Sequence, residues 1–173
     1  MRNMFNALVL LLVIPLSVSG QPPAQTVPDF EFFRFDKRPF TTMDLPKSKM
    51  LFFLFFDSDC DHCQHAIKSI GEQYQSFKKA SIFLISMDGL DKMDHFMNTY
   101  GSKLKREKNV TVLQDKLQQF IAKFKPVRYP SMFLYSSEKK LIDYEDDPES
   151  VFRLVNAINK MSNKITRYYY QYF

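Results

Sequence analysis

Two unbroken apolar runs dominate the hydrophobic pattern: Leu51-Phe52-Phe53-Leu54-Phe55-Phe56, bounded by Lys49 and Asp57, and Ile82-Phe83-Leu84-Ile85-Ser86-Met87. Runs of this length without polar alternation predict strands buried on both faces of a parallel sheet. Between them Ala66, Ile67, Ile70, Tyr74 and Phe77 recur at helical spacing, with Gln, Lys and Ser on the opposite face. The result is a strand–helix–strand unit, and Cys60 and Cys63 fall where its helix begins.

Weaker patterns flank this unit. Phe30 to Phe35 and Phe40 to Leu45 sit on either side of Asp36-Lys37-Arg38-Pro39, a turn sequence, and predict a short hairpin. Met93, Phe96, Met97 and Tyr100 predict a second helix, and Val110 to Leu113 a short strand. Asp115 can cap a third helix carrying Leu117, Phe120, Ile121 and Phe124. Ser131 to Tyr135 and Leu141 to Tyr144, either side of Ser136-Ser137-Glu138-Lys139-Lys140, predict an antiparallel hairpin. Asp147-Pro148 opens a last helix burying Val151, Leu154, Val155 and Ile158. Strands alternating with helices and closing on a hairpin and a helix describe an α/β sandwich.

The first 20 residues have a different character. Arg2 gives a positive start, Ala7 to Leu16 is an apolar run, and Ser17-Val18-Ser19-Gly20 offers small residues for cleavage. A membrane span needs roughly 20 apolar residues. This run is about half that, so residues 1–20 are expected to be a secretory signal peptide cleaved near Gly20, with an uncleaved anchor as the alternative. No cysteine lies near the cleavage site to carry a lipid. Residues 21–28 read as a Pro-rich linker, 29–163 as the folded domain, and 164–173 as an aromatic tail. That tail, with Tyr168, Tyr169, Tyr170, Tyr172 and Phe173, either packs back on the domain or docks on an exported partner or a membrane surface.

Charge narrows the partners. Removing Arg2 with the leader leaves 23 Lys+Arg against 19 Asp+Glu, mildly basic and spread along the chain. No basic run of the kind nucleic-acid binding uses is present. The only two cysteines of the chain stand in one Cys-x-x-Cys. An exported protein can keep a disulfide, but closing a four-residue loop stabilises by only about 1.9 kcal/mol in the chain-entropy model, against about 3 for a 15-residue loop. The spacing favours redox use over stapling.

Cys-x-x-Cys serves redox sites, zinc sites and haem attachment. Its place at a helix start, behind a buried strand, points to the first of these. Unsatisfied N–H groups and the helix dipole favour a thiolate at the first cysteine. An ordinary cysteine is only about 3% thiolate at pH 7, whereas one with a pKa near ~6 is about 90%. His62 adds a cation or a donor; Asp59 and Asp61 oppose a thiolate by like charge, and Asp59 also suits a helix cap. Haem attachment requires His after the second cysteine, where Gln64 stands. Cys60, His62, Cys63 and His65 could together donate to copper or zinc, which keeps metal delivery open. Upstream of Cys60 a peroxiredoxin's Pro-x-x-x-Thr/Ser-x-x-Cys would put Pro and Thr/Ser at Phe53 and Asp57, and upstream of Cys63 at Phe56 and Cys60; neither fits.

Three segments together resemble the thioredoxin superfamily, in particular its exported TlpA/ResA-like branch related to the AhpC/TSA domains. Val27-Pro28-Asp29-Phe30 with Lys37-Arg38-Pro39-Phe40 and Met43-Asp44-Leu45 is similar to that branch's opening hairpin. Asp59-Cys60-Asp61-His62-Cys63 matches the active-site turn, and Val127 to Tyr135 resembles the loop carrying the family's cis-proline and the strand after it. The resemblance spans about residues 27–160. It implies a thioredoxin-like three-layer sandwich: a central mixed sheet flanked by helices, with an N-terminal β-hairpin.

It also implies roles. Cys60 is the nucleophile, Cys63 the resolving thiol, and Pro130 faces the pair, while the Tyr129 backbone pairs with a substrate chain that also passes Asp61. The expected activity is thiol–disulfide exchange with exported protein thiols and a further redox partner, without a cofactor. His62 is similar to the third residue of oxidant and isomerase sites, whereas the surrounding domain looks like the reductant branch. Two departures stand out: Asp59 replaces the family's Trp before the first cysteine, and Leu54 replaces the buried acid of thioredoxins. The rival outside enzymology is a binding module that keeps the fold and makes little use of its cysteines.

Overall fold

The structure, a computed structural model, describes residues 21–172, with side chains through Lys164. The expected signal peptide lies outside the described residues, as do the side chains of the aromatic tail. In chain order the elements are β1 (Glu31–Phe33), β2 (Pro39–Thr41), β3 (Met50–Phe55), α1 (Asp61–Glu72), α2 (Tyr74–Phe77), β4 (Ala80–Ser86), α3 (Leu90–Thr99), α4 (Ser102–Lys105), β5 (Val110–Gln114), α5 (Gln119–Phe124), β6 (Ser131–Tyr135), β7 (Leu141–Glu145) and α6 (Val151–Tyr172). Single 3-10 turns span Thr42–Asp44 and Pro148–Ser150.

One seven-stranded sheet runs in the order β2-β1-β5-β4-β3-β6-β7. β3, β4 and β5 are parallel, while β6, β7 and the β1–β2 hairpin join antiparallel. This is the mixed sheet of a thioredoxin-like fold. Every residue of β3 and β4 is buried, as their apolar runs require. Alternation sends Phe52, Leu54 and Phe56 into a core shared with α1, α3 and α6, and Leu51, Phe53 and Phe55 into one shared with α5 and the N-terminal hairpin.

Several expectations are corrected in detail. The helix read through Phe77 breaks at Gln73, leaving α2 as a separate turn. The second hairpin strand stops at Thr41, where the Thr41 hydroxyl and the Asp44 carboxylate cap a 3-10 turn. The third helix is six residues long because Gln118 and Lys125 at its two ends are left-handed, with φ of 52° and 56°. Leu117 therefore lies before the helix, and both Leu117 and Ile121 are exposed. Asp115 nevertheless does the capping work from further back, its carboxylate accepting the N–H groups of Gln119 and Phe120 at 2.9 and 2.8 Å. The last helix buries Val151, Leu154 and Ile158, with Val155 half-buried, and it continues through the tail to Tyr172.

Candidate active site

The parallel pairing of β3 with β4 places the loops after both strands side by side at one end of the sheet. The first loop, residues 56–60, leads into α1, and Cys60 is the N-cap of that helix. Asp59, expected as a cap, does not serve as one. It stands one residue too early, and its carboxylate pairs instead with Lys92 at 2.7 Å.

Cys60 is half-buried, with its sulfur accepting the N–H of Cys63 at 3.3 Å. The same N–H reaches the Cys60 carbonyl at 3.0 Å. Cys63 is fully buried among Ala66, Ile67 and Phe56, and both cysteines are free thiols. Burial pushes the Cys63 thiol well above the ordinary range, and its hydrogen bond to Cys60 adds to the effect. The pair thus consists of one reachable sulfur at a helix start and one sheltered thiol a turn behind it.

Asp57 anchors the loop at its base. Its carbonyl accepts the Cys60 N–H at 3.3 Å, and its carboxylate accepts the Asp59 N–H at 2.8 Å. Leu54, at the position of the thioredoxin acid, is buried in the helix-side core.

β6 pairs antiparallel with β3, with Ser131 opposite Phe55, so residues just before β6 meet the end of β3. The Tyr129–Pro130 peptide in that segment is cis, and Pro130 is buried. The Tyr129 ring packs 4.8 Å from Phe55. Burial, with the charges of Asp57 and Asp88, pushes the Tyr129 phenol up to about 12. Two contacts with β7 and the residue after it hold this loop: the Tyr144 hydroxyl accepts the Val127 N–H at 3.0 Å, and Arg128 pairs with Asp146 at 3.0 Å.

His62 and Asp61 are exposed on the first turn of α1. His62 shares a cavity of about 270 Å³ with Arg128, Tyr129, Asp146, Asp147 and Pro148. This space adjoins the cysteine turn and links it to the loop bearing Pro130. His65 and His95 are exposed. Among the described residues, no three His, Cys, Asp or Glu side chains come together as a metal site.

Asp88 and Lys92, which the sequence pattern did not single out, complete the surroundings. The Asp88 carboxylate accepts the Ser58 N–H at 2.8 Å and the Ser86 hydroxyl at 3.1 Å, and Lys92 lies 3.0 Å away. Burial opposes the Asp88 charge, yet these hydrogen bonds outweigh it and hold the carboxyl below its ordinary value. The Lys92 ammonium, bonded to Asp59 and Asp88, is pushed above the usual lysine range. The spacing Asp88–Lys92 was a readable signal, an i,i+4 pair of opposite charge; the parallel strands that bring it to Ser58 and Asp59 were not.

The model of the AhpC/TSA family matches residues 23–144. A search of curated proteins returned no match. Solved structures share the fold at low identity. The chain is similar to the peroxidoxin BcpB from Mycobacterium tuberculosis, with a TM-score of 0.66, 16% identity, and coverage of 80% of this chain and 96% of that one. The thioredoxin domain of a thiol-disulfide oxidoreductase from Bacteroides vulgatus gives 0.63 at 17% identity, covering 79% and 96%. A secreted Mycobacterium tuberculosis disulfide oxidoreductase, homologous to Escherichia coli DsbE, gives 0.61 at 18% identity, covering 76% and 95%.

Proposed function

The chain belongs to the AhpC/TSA family, and on that premise we propose that it is an exported thiol–disulfide oxidoreductase acting on protein thiols and disulfides through Cys60 and Cys63. The observation that carries the reading is the asymmetry of the pair: a half-buried sulfur receiving a helix N–H, and a fully buried thiol one turn behind. Export is supported by the charge and apolar length of residues 1–20.

The exchange proceeds in two displacements. The Cys60 thiolate attacks one sulfur of a substrate disulfide, forming a mixed disulfide and releasing the other substrate sulfur as a thiolate that takes up a proton. Cys63 then gives up its proton and attacks the Cys60 sulfur. A Cys60–Cys63 disulfide forms, and the second substrate thiol leaves. Two electrons pass from the protein dithiol to the substrate; the reverse sequence oxidises a substrate dithiol. The segment before Pro130 and the cavity at His62 lie where a bound polypeptide would pass, with the Tyr129 backbone and Asp61 as its contacts. An unidentified redox partner resets the pair.

A peroxidase reading draws on the likeness to BcpB, which shows the fold alone. Phe53 and Asp57 occupy the positions where peroxide activation upstream of Cys60 would require Pro and Thr or Ser.

Trapping tests the assignment. Cys63→Ser is expected to accumulate a mixed disulfide with an oxidised, disulfide-bearing polypeptide substrate, because the first displacement proceeds and the second cannot. Cys60→Ser is expected to trap nothing, and its exchange rate should fall to background. Trapping by Cys60→Ser instead would reverse the roles. No exchange by the wild type with any protein disulfide would leave the binding-module reading.

A further inference from the structure

Asp88 occupies the turn after β4, and it is fixed from several directions. Its backbone N–H donates to the Ser86 hydroxyl at 3.1 Å, and its carbonyl accepts from the Gln114 amide at 2.9 Å, so the ends of β4 and β5 both hold it. Its carboxylate, 17% exposed, faces the neighbouring loop and takes the Ser58 N–H. Lys92, one turn into α3, spans from Asp88 at 3.0 Å to Asp59 at 2.7 Å. The two residues before Cys60 are therefore both tied to the segment after β4: Ser58 through its backbone to the turn at Asp88, Asp59 through its side chain to Lys92 of α3.

A bridge this open contributes little to stability. Asp59 is 81% exposed and Lys92 41%, and solvent screens pairs this exposed. Its charge matters more for what stands beside it. Asp59 adjoins Cys60 in the chain, and Asp88 holds the N–H of Ser58, so two carboxylates are tied to the segment that leads into a sulfur that must carry negative charge to react. Lys92 is the cation between them. Asp57, Asp61 and His62 also flank Cys60 on its own segment, and Arg128, across the cavity from His62, is engaged by Asp146.

We propose that Lys92 and Asp88 are positioning residues of the dithiol: the Asp59–Lys92–Asp88 bridge holds the turn that presents Cys60 and counters the carboxylate charge beside it. This rests on the thiol–disulfide exchange reading. Attack requires a thiolate at Cys60, which the disulfide form cannot carry, so a cation tied to the segment that leads into Cys60 favours the reduced form. Within the bridge, the Lys92 charge raises the reduction potential and speeds attack by Cys60, and the two carboxylates oppose it.

The test uses variants of opposite sign. Lys92→Met leaves both carboxylates uncompensated. Its equilibrium with glutathione is expected to move toward the disulfide by about threefold to tenfold, the scale of one nearby charge in a partly solvated site. At the tenfold end this lowers the potential by about 30 mV. Iodoacetamide labelling of Cys60 at pH 7 should slow by a similar factor. Asp88→Asn removes one negative charge while its amide oxygen can still accept the Ser58 N–H, and Asp59→Asn removes one at an exposed site. Both should shift the equilibrium the other way and speed labelling. Lys92→Arg, which keeps the charge, should restore wild-type values, and 1 M salt should shrink every difference. A turn that is merely loosened would move Lys92→Met and Asp88→Asn in the same direction, and that outcome, or no shift in either, overturns the proposal. Wild-type protein that does not equilibrate with glutathione at all removes the exchange reading itself, which separates the two failures.

Discussion

The two faces of the sheet are built from alternate residues of the same strands, yet they pack differently. On one face Phe53 and Phe55 meet Phe30, Phe32, Phe120, Phe124, Phe133 and Tyr135 in a nearly continuous aromatic layer. Phe120 and Phe124 stack at 4.1 Å with their planes 2° apart, and Phe55 stacks on Phe120 at 4.3 Å. On the other face Phe52, Leu54 and Phe56 meet Ile67, Ile70, Met93, Met97, Leu154 and Ile158, and Cys63 sits among them. The cause lies in the covering elements. Only a six-residue helix and a short hairpin roof the aromatic face, so large rings must fill the space that long helices fill opposite. The Cys63 thiol lies in the layer richer in aliphatic and methionine side chains, which repack more readily. Tyr129 touches both layers, its ring against Phe55 on one side and its neighbours in the helix-side core on the other.

If the aromatic layer is a scaffold and the helix side carries the chemistry, mutations should separate the two. The largest effect on stability is expected from Phe120→Ala. The ring is fully buried against Phe32, Phe55, Phe124 and Phe133, and its truncation should lower the unfolding free energy by about 3–5 kcal/mol. Chemical denaturation reads that loss, and Cys60 labelling in the remaining folded protein should keep its wild-type rate. Met97→Leu on the other face, also buried, should cost less than about 1.5 kcal/mol. A change in labelling with Phe120→Ala would dissolve the division of labour.

Asp115→Ala tests the roof of the aromatic face at its weakest point. The fully buried carboxylate caps α5 through the N–H groups of Gln119 and Phe120. Truncation leaves both donors without a partner and should cost about 2 kcal/mol. Protection of the α5 amides against hydrogen exchange should fall before that of β3 or β4. Uniform loss of protection would mean that α5 does not open separately from the sheet.

The contrast between the faces also explains what the sequence disclosed. The central strands were legible because burial on both sides leaves an uninterrupted apolar run, as in Leu51–Phe56 and Ile82–Met87. The turn at Cys60–Cys63 was legible because strand and helix patterns meet there. Harder to see were elements whose ends depend on backbone conformation, such as α5 between left-handed Gln118 and Lys125. The four-residue helix Ser102–Lys105 gave no signal, since Leu104 is its single buried residue. At the site, Asp59 looked like a cap because its type and position fit one, and only the parallel register of β3 and β4 brings it to Lys92 instead. Pairing across a sheet leaves no local period in the chain, so the ionic bridge could not be read from it.

A last effect, seen only at high pH, isolates Cys63 from both scaffolds. Its thiol pKa is raised in the folded protein, chiefly by burial, whereas the unfolded chain's thiol titrates near about 8.5. A group whose folded pKa is raised contributes its stability fully below the unfolded value and loses it as pH climbs toward the folded value. Reduced protein should therefore lose about 1.4 kcal/mol per pH unit above about 8.5 through this one group. Tyr74, Tyr129, Tyr135 and Tyr144 are also raised by burial and add their own loss above about 10, so the comparison must be made against Cys63→Ala, which keeps all four. Urea midpoints of reduced wild type and variant should converge between pH 8.5 and 10, read on the scale of that slope. The oxidised wild type, having no thiol proton to lose, should show none of this slope. Parallel curves for the reduced pair would mean that Cys63 is reached by water as easily as Cys60, and the asymmetry that carries the proposed exchange would be gone.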